Sequence, residues 1–219
     1  QKQGPKTDPI RTGPLFGPVR ALEPGVSVPK TGSQNGSFSI ADTTELPEGE
    51  IGELIVSGAV VTTEYVTRCE VNSLSKIPDG DRFWHRMGDV GYRDAQDRFW
   101  YCGRKSHRIC VDEATMFTIP CEAIMNTDQR VYRSALVNAG TAAKPEPVVV
   151  VELHRRPAGE DEERQIVAEL VELAASHALT RPVKRILLHP KLPVDIRHNS
   201  KIFREQLTVW AAKQATSRP

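Results

Sequence analysis

The stretch Phe83 to Cys110, FWHRMGDVGYRDAQDRFWYCGRKSHRIC, decides how the rest of the chain is read. Large residues alternate with polar ones up to Gly88-Asp89. The Asp-rich run Arg93-Asp94-Ala95-Gln96-Asp97 marks a hairpin turn, and the aromatic run Phe99 to Cys102 reads as the returning strand, ending at Gly103-Arg104. This places Asp89 at a tight glycine turn and Arg104 at the end of the next strand. An ionised carboxylate only accepts hydrogen bonds, which suits it to gripping a vicinal diol such as a ribose. A guanidinium at the neighbouring strand end reaches a phosphate or the same sugar. Spacing alone also fits a surface hairpin with a capping aspartate.

Working outward toward the N-terminus, Glu48-Gly49-Glu50 is a turn, and residues 51–56 form a strand running into Ser57-Gly58. Residues 59–65 are a second candidate strand. Residues 1–36 are rich in proline and glycine without apolar periodicity, so they are expected to be loop-rich and mobile. Within this region and just beyond it, Thr31-Gly32-Ser33-Gln34-Asn35-Gly36-Ser37 has the composition of a phosphate loop. It lacks the lysine of such a loop and the flanking strand and helix, and is read as a flexible loop.

Past Arg104 the pattern changes to alternating helices and strands. Pro120 suits the first turn of a short helix, with Glu122 complementing its N-terminus. Residues 133–137, 147–153 and 185–188 read as strands, the second apolar enough to be central. Glu160-Asp161-Glu162-Glu163 opens a helix with an apolar stripe of Ile166, Leu170, Leu173 and Ala174. A last helix is expected from Asn199 or Ser200 as cap, with Phe203, Leu207, Trp210 and Ala211 on one face. The fold class is α+β: a small β-rich, barrel-like unit followed by a domain whose small sheet is packed by helices.

The 219 residues suffice for one large domain or two small ones. With 29 basic against 28 acidic residues, the chain is not built for a nucleic acid or an anionic membrane surface. Cys69, Cys102, Cys110 and Cys121 have no metal-type spacing and read as cytosolic thiols, with Cys110 and Cys121 buried. His107, His154, His177 and His189 likewise show no metal spacing. No apolar run approaches the ~20 residues of a spanning helix, so a cytoplasmic protein is expected.

The motifs Gly88-Asp89, Gly91-Tyr92 and Gly103-Arg104-Lys105 resemble the adenylate-forming superfamily of acyl-CoA and aryl-CoA synthetases, luciferases and nonribosomal adenylation domains. HRMGDVGY at 85–92, Thr118-Ile119-Pro120-Cys121-Glu122-Ala123, Val131 to Val137 and Asp195-Ile196-Arg197-His198-Asn199 resemble the β-lactone synthetases of bacterial long-chain olefin biosynthesis. The likeness runs from about Leu46 to the C-terminus. It implies that residues 37–105 end the large adenylation domain and that 106–219 form a mobile C-terminal lid hinged near Ser106. It further implies that Asp89 accepts the ribose hydroxyls, that Arg104 contacts the nucleotide, and that Lys201 is the catalytic lysine, bridging a substrate carboxylate and the α-phosphate. Glu64-Tyr65 and Arg68 match only loosely. His85 and His198 flank the two motifs, and either a structural or a proton-shuttling role is open to them.

The implied substrates are ATP, with Mg2+, and a long-chain 3-hydroxy acid; other olefin-pathway enzymes are candidate partners. The superfamily's lysine-bearing phosphate loop and its Tyr-Gly-x-Thr-Glu motif are absent from these residues, so ATP and Mg2+ depend on a region that this sequence does not include, and the isolated chain is expected to be inactive. The glycine-containing loop after the hinge is replaced by Val111-Asp112-Glu113-Ala114-Thr115-Met116, which argues against coenzyme A transfer. An acyl-CoA synthetase fragment, or a non-catalytic remnant serving as an interaction module, are the competing readings.

Overall fold

A computed structural model of the chain describes residues 19–22, 39–67 and 71–216. The expected loop over residues 31–37, the loose match at Arg68, and Cys69 lie outside them. Packing divides the described residues into two units, one running up to Ser106 and the other from His107 onward.

The first unit is built on one long strand. β1 (Val19–Leu22) pairs antiparallel with β2 (Gly52–Val56), and β2 pairs with β4 (Arg82–Arg93). The other edge of β4 is shared between β3 (Lys76–Asp79), opposite its first half, and β5 (Phe99–Arg104), opposite its second. Successive residues of β2 point to opposite faces. Leu54 accordingly joins Ala21 and Phe99 in one buried cluster, while Ile55 joins Ile77 and Trp84 in another.

Two expectations change here. Val19–Leu22, within the stretch expected to be loop-rich, is a strand. Residues 59–61 are a turn and a bend and 62–65 belong to no strand, and Asn72 binds both backbone groups of Tyr65, at 2.7 and 3.2 Å. The strand that does pair is β3, preceded by the short helix α1 (Asn72–Ser75).

The β4–β5 turn is made by Asp94, as its composition suggested. Asp94 Oδ1 accepts the N–H groups of Gln96 and Arg98, and Oδ2 accepts Trp100 Nε1 at 2.7 Å. Asp97 takes a left-handed conformation at φ 60°, which aspartate tolerates better than most residues. β4 and β5 approach so closely that a Cβ at Gly91 would lie 2.4 Å from the Trp100 carbonyl oxygen.

In the second unit β9 (Pro147–Leu153) is central, antiparallel to β8 (Val131–Asn138) and parallel to β10 (Arg185–Leu188). Its run Val148-Val149-Val150-Val151 has no exposed surface. Val149 and Val151 pack with residues of α2 (Thr118–Met125) and α3 (Glu160–Ser176), while Val148 and Val150 pack with Leu207 and Ala211 of α4 (Arg204–Thr216). A strand apolar at every position is therefore covered on both faces. The acidic first turn and the buried stripe Ile166, Leu170 and Ala174 of α3 follow the expectation; Leu173 is only partly buried.

Two short hairpins were not foreseen. β6 (Ile109–Val111) and β7 (Ala114–Met116) pair through a turn in which Asp112 adopts φ 52°. The segment expected to be hampered by its lack of glycine thus reaches the left-handed region by using aspartate. β11 (Val194–Asp195) and β12 (His198–Ile202) form the second hairpin, and α4 begins only at Arg204 rather than at Asn199 or Ser200.

The close approach at Gly91 can be checked by unfolding in urea. Gly91→Ala is expected to destabilise the first unit by about 1–3 kcal/mol through overpacking against backbone, more than Gly80→Ala, where only a left-handed φ is disturbed and nothing lies within 4 Å. Equal losses would contradict the steric account.

Candidate functional site

Asp89 and Arg104 are direct cross-strand partners in the β4–β5 ladder. Gly88, at φ +68°, turns the backbone just before Asp89, and Arg104 Nη1 donates to the Met87 carbonyl at 2.9 Å, tying the turn to β5. The same nitrogen lies 3.0 Å from Asp89 Oδ1. That distance makes an ion pair across the hairpin, with Oδ1 itself shielded from solvent. Burial pushes the Asp89 carboxyl above its ordinary value, against the opposing pull of Arg104 and the Tyr101 hydroxyl. Arg104 itself is half exposed. The arrangement is a partly buried carboxylate paired with a half-exposed cation, and it suits a hydroxyl-bearing anion.

Next to it is a carboxylate that the sequence reading passed over. Glu53 lies opposite Val90 in the β2–β4 ladder with a side chain only 5% exposed. Arg86 grips it through Nη2 at 2.6 Å and Nε at 3.2 Å, and Lys105 Nζ reaches it at 2.7 Å. Burial acts to raise its pKa, but the two cations and their hydrogen bonds together outweigh burial and hold the carboxyl below its usual value. The one available signal was a glutamate set among the apolar residues of a predicted strand.

Ser106 is exposed in a single 3-10 turn, Lys105–His107. Its neighbours are each tied within their own unit: Lys105 to Glu53, and His107, whose Nε2 lies 3.3 Å from Glu205 Oε1 on the first turn of α4.

Lys201 is exposed and sits on β12, not inside a helix start. The run Asn199-Ser200 imitates a helix cap in sequence, but pairing of Val194 with Ile202, and a bond from the Phe203 N–H to the Pro193 carbonyl at 2.9 Å, extend the backbone through the lysine. Ile202 packs toward the core, so strand alternation turns its neighbour Lys201 outward. Asp89 and Arg104 are in the first unit, and Lys201 is in the second.

The remaining candidates contribute less. His85 Nδ1 is 3.2 Å from the Ser75 carbonyl oxygen, and burial, with Lys76 nearby, lowers its pKa. The side chain of His198 lies outside the described atoms. Cys121 is buried, its thiol pushed up to about 12 by burial, whereas Cys110, expected to be buried, is exposed because β6 is a short surface strand. No three His, Cys, Asp or Glu among the described residues gather to hold a metal ion. A cleft of ≈ 520 Å³ between α3, β10 and α4 contains none of the predicted site residues. No described helix is long and apolar enough to cross a membrane.

Comparison with known proteins agrees with the motifs. No family model matches. The chain is 42% identical over 174 residues to an olefin β-lactone synthetase of Xanthomonas campestris pv. campestris, covering 77% of this chain and 31% of that protein. A second olefin β-lactone synthetase, from Stenotrophomonas maltophilia, is 41% identical over 178 residues, covering 79% and 32%. The chain thus spans about a third of the length of these curated relatives. Among solved structures, O-succinylbenzoate coenzyme A synthetase from Bacillus subtilis, in complex with ATP and magnesium ion, matches with a TM-score of 0.62 at 22% identity, covering 75% of this chain and 32% of that one. The fold is that of the C-terminal portion of adenylate-forming enzymes, and the sequence resembles olefin β-lactone synthetases within them.

The electrostatics of Asp89 can be tested by carbon NMR titration. Its carboxyl is expected to titrate above 3.8, the ordinary aspartate value. Because Arg104 opposes the upward shift, Arg104→Ala should raise it further, and an unchanged or lower value would refute the pairing. A raised acid pKa means that ionising Asp89 weakens the fold, so its contribution is most favourable at low pH and diminishes as pH rises through the folded value.

Proposed function

We propose that this chain is the C-terminal part of an ATP-dependent adenylate-forming enzyme that converts a long-chain 2-alkyl-3-hydroxy acid into a β-lactone. The observation that carries the nucleotide half of this reading is the Asp89–Arg104 pair set across the β4–β5 ladder, a carboxylate beside a half-exposed guanidinium. Ribose hydroxyls can donate to the carboxylate, and the guanidinium has further N–H groups to offer sugar or phosphate. The β-lactone half rests on the sequence similarity to the olefin β-lactone synthetases.

In the first step an oxygen of the substrate carboxylate attacks the α-phosphorus of ATP, the bond to pyrophosphate breaks, and an acyl-adenylate results. Two anions must be brought together for this. The Lys201 ammonium neutralises both, its role being position and charge. In the second step the substrate's own 3-hydroxyl oxygen attacks the acyl carbon, its proton leaves to a base, and the bond to AMP breaks as the ring closes. Nucleophile and electrophile share one molecule, so proximity favours closure without an external thiol. Mg2+ and the phosphates are the business of the superfamily's N-terminal motifs, which these residues do not include, and a cytoplasmic setting suits ATP and reduced thiols.

Ser106 serves as the hinge that carries Lys201 to the nucleotide. In support, Lys105 is held by Glu53 in one unit and His107 by Glu205 in the other, with an exposed serine between them. Rotation confined to such an element end is a common route to domain closure.

Lys201→Ala in the full-length enzyme is expected to slow adenylate formation by about 100-fold or more, the loss seen when a positioned charge-stabilising donor is removed, with unfolding unchanged. Labelled pyrophosphate exchange measures it, and an unchanged rate would remove the lysine from the mechanism. Product analysis with and without coenzyme A separates lactone closure from thioester formation. Exchange by the present chain alone would contradict its dependence on an N-terminal region.

A further inference from the structure

Lys201 reaches its target from a hairpin that has little stability of its own. β11 and β12 pair only with each other among the described residues, and β11 contributes just Val194–Asp195. An isolated two-stranded ribbon is marginal in water. Inside the turn, the buried Asp195 accepts the Arg197 N–H through Oδ1 at 2.9 Å.

Besides the apolar packing of Leu192 and Ile202 on the core, the polar ties at both ends are made by buried carboxylates. At the entrance, Glu152 of β9 accepts the Leu192 N–H through Oε2 at 2.8 Å, and Arg133 Nε lies 3.2 Å from the same oxygen. At the exit, Glu122 of α2 takes Arg204 Nη2 between its two oxygens, at 2.7 Å each, while its Oε1 also accepts the Leu136 N–H at 2.8 Å. Arg204 follows Lys201 by three residues and begins α4. Glu122 and Glu152 are 6% and 8% exposed, so neither meets solvent to any extent.

Burying such charges is a poor way to gain stability, since well-packed apolar residues of the same volume often do as well or better. What charged groups with fixed partners supply is a unique placement. We infer that Glu122 and Glu152 are positioning residues for Lys201, clamping the two ends of its hairpin to opposite elements of the core so that the lysine's backbone is set before the substrate arrives. The inference rests on the catalytic role proposed for Lys201. An arginine in the first turn of a helix, where cations are unfavourable, fits this account, because Arg204 is placed for Glu122 and not for the helix.

The test uses Glu122→Met and Glu152→Met, with Glu152→Gln as the conservative variant that keeps an acceptor for the Leu192 N–H. Hydrogen exchange on the chain should show protection lost at Leu192 and Phe203 and retained at Val148–Val151. In the full-length enzyme, kcat for adenylate formation should fall about 10- to 100-fold, as displacement of a catalytic group by an ångström does, with KM for ATP unchanged and with recovery in Glu152→Gln. Unchanged protection of the hairpin, or full kcat after protection is lost, would overturn the inference. Should a methionine variant fail to fold, Glu122→Gln, which removes the charge facing Arg204, and Glu152→Leu carry the same two readouts. Lys201→Ala is run in parallel: if it leaves adenylation intact, the role of Lys201 falls, while exchange at Leu192 and Phe203 still decides whether the carboxylates hold the hairpin.

Discussion

The second unit depends on one constraint, that Val148 to Val151 must be sheltered on both faces of the sheet. Each valine removed from water contributes on the order of 1.5–3 kcal/mol, and none of the four retains exposed surface. One face is covered by α2 and α3, which follow naturally from the strands beside them. The other has to be covered by α4, whose Leu207 and Ala211 lie against Val148 and Val150. The chain must therefore leave β10, cross to the opposite face and turn into α4, and the β11–β12 hairpin bearing Lys201 is the crossing. The lysine's position is a consequence of core coverage before it is a matter of chemistry.

The first unit applies a related economy to charge. β4 is long enough to serve three partners, and two carboxylates near its middle end in different states. Glu53 is closed off by Arg86 and Lys105 and held ionised, which suits a structural tie close to Ser106 in the chain. Asp89, one ladder position away from the Glu53 partner, has a half-exposed arginine as its cation and its pKa raised by burial. Environment alone drives the two carboxyls in opposite directions.

The juxtaposition of Asp89 and Arg104 was legible because it resides in local chemistry. Asp94 encodes the hairpin turn through side-chain bonds to nearby N–H groups, and that one turn pairs β4 with β5 so that Asp89 faces Arg104. Glu53, Glu122 and Glu152 were not legible as a group, since their partners are 14 to 82 residues distant in sequence. The helix start at Asn199-Ser200 was misread for the same reason. Local cap signals there are genuine, but a long-range pairing with Val194 overrides them.

By itself the sequence determined the α+β class, the change of character after Arg104, the central place of the all-valine strand, the Asp89–Arg104 hairpin and the resemblance to adenylate-forming enzymes, because periodicity, turn residues and short motifs are written within a few residues of one another. Only the tertiary structure decided that Lys201 stands on a strand, that Asp112 turns the β6–β7 hairpin in the left-handed region, and that buried carboxylates bind both ends of the lysine's hairpin. Those outcomes depend on which distant groups share a desolvated space, and a buried charge is settled by the partners that folding brings to it.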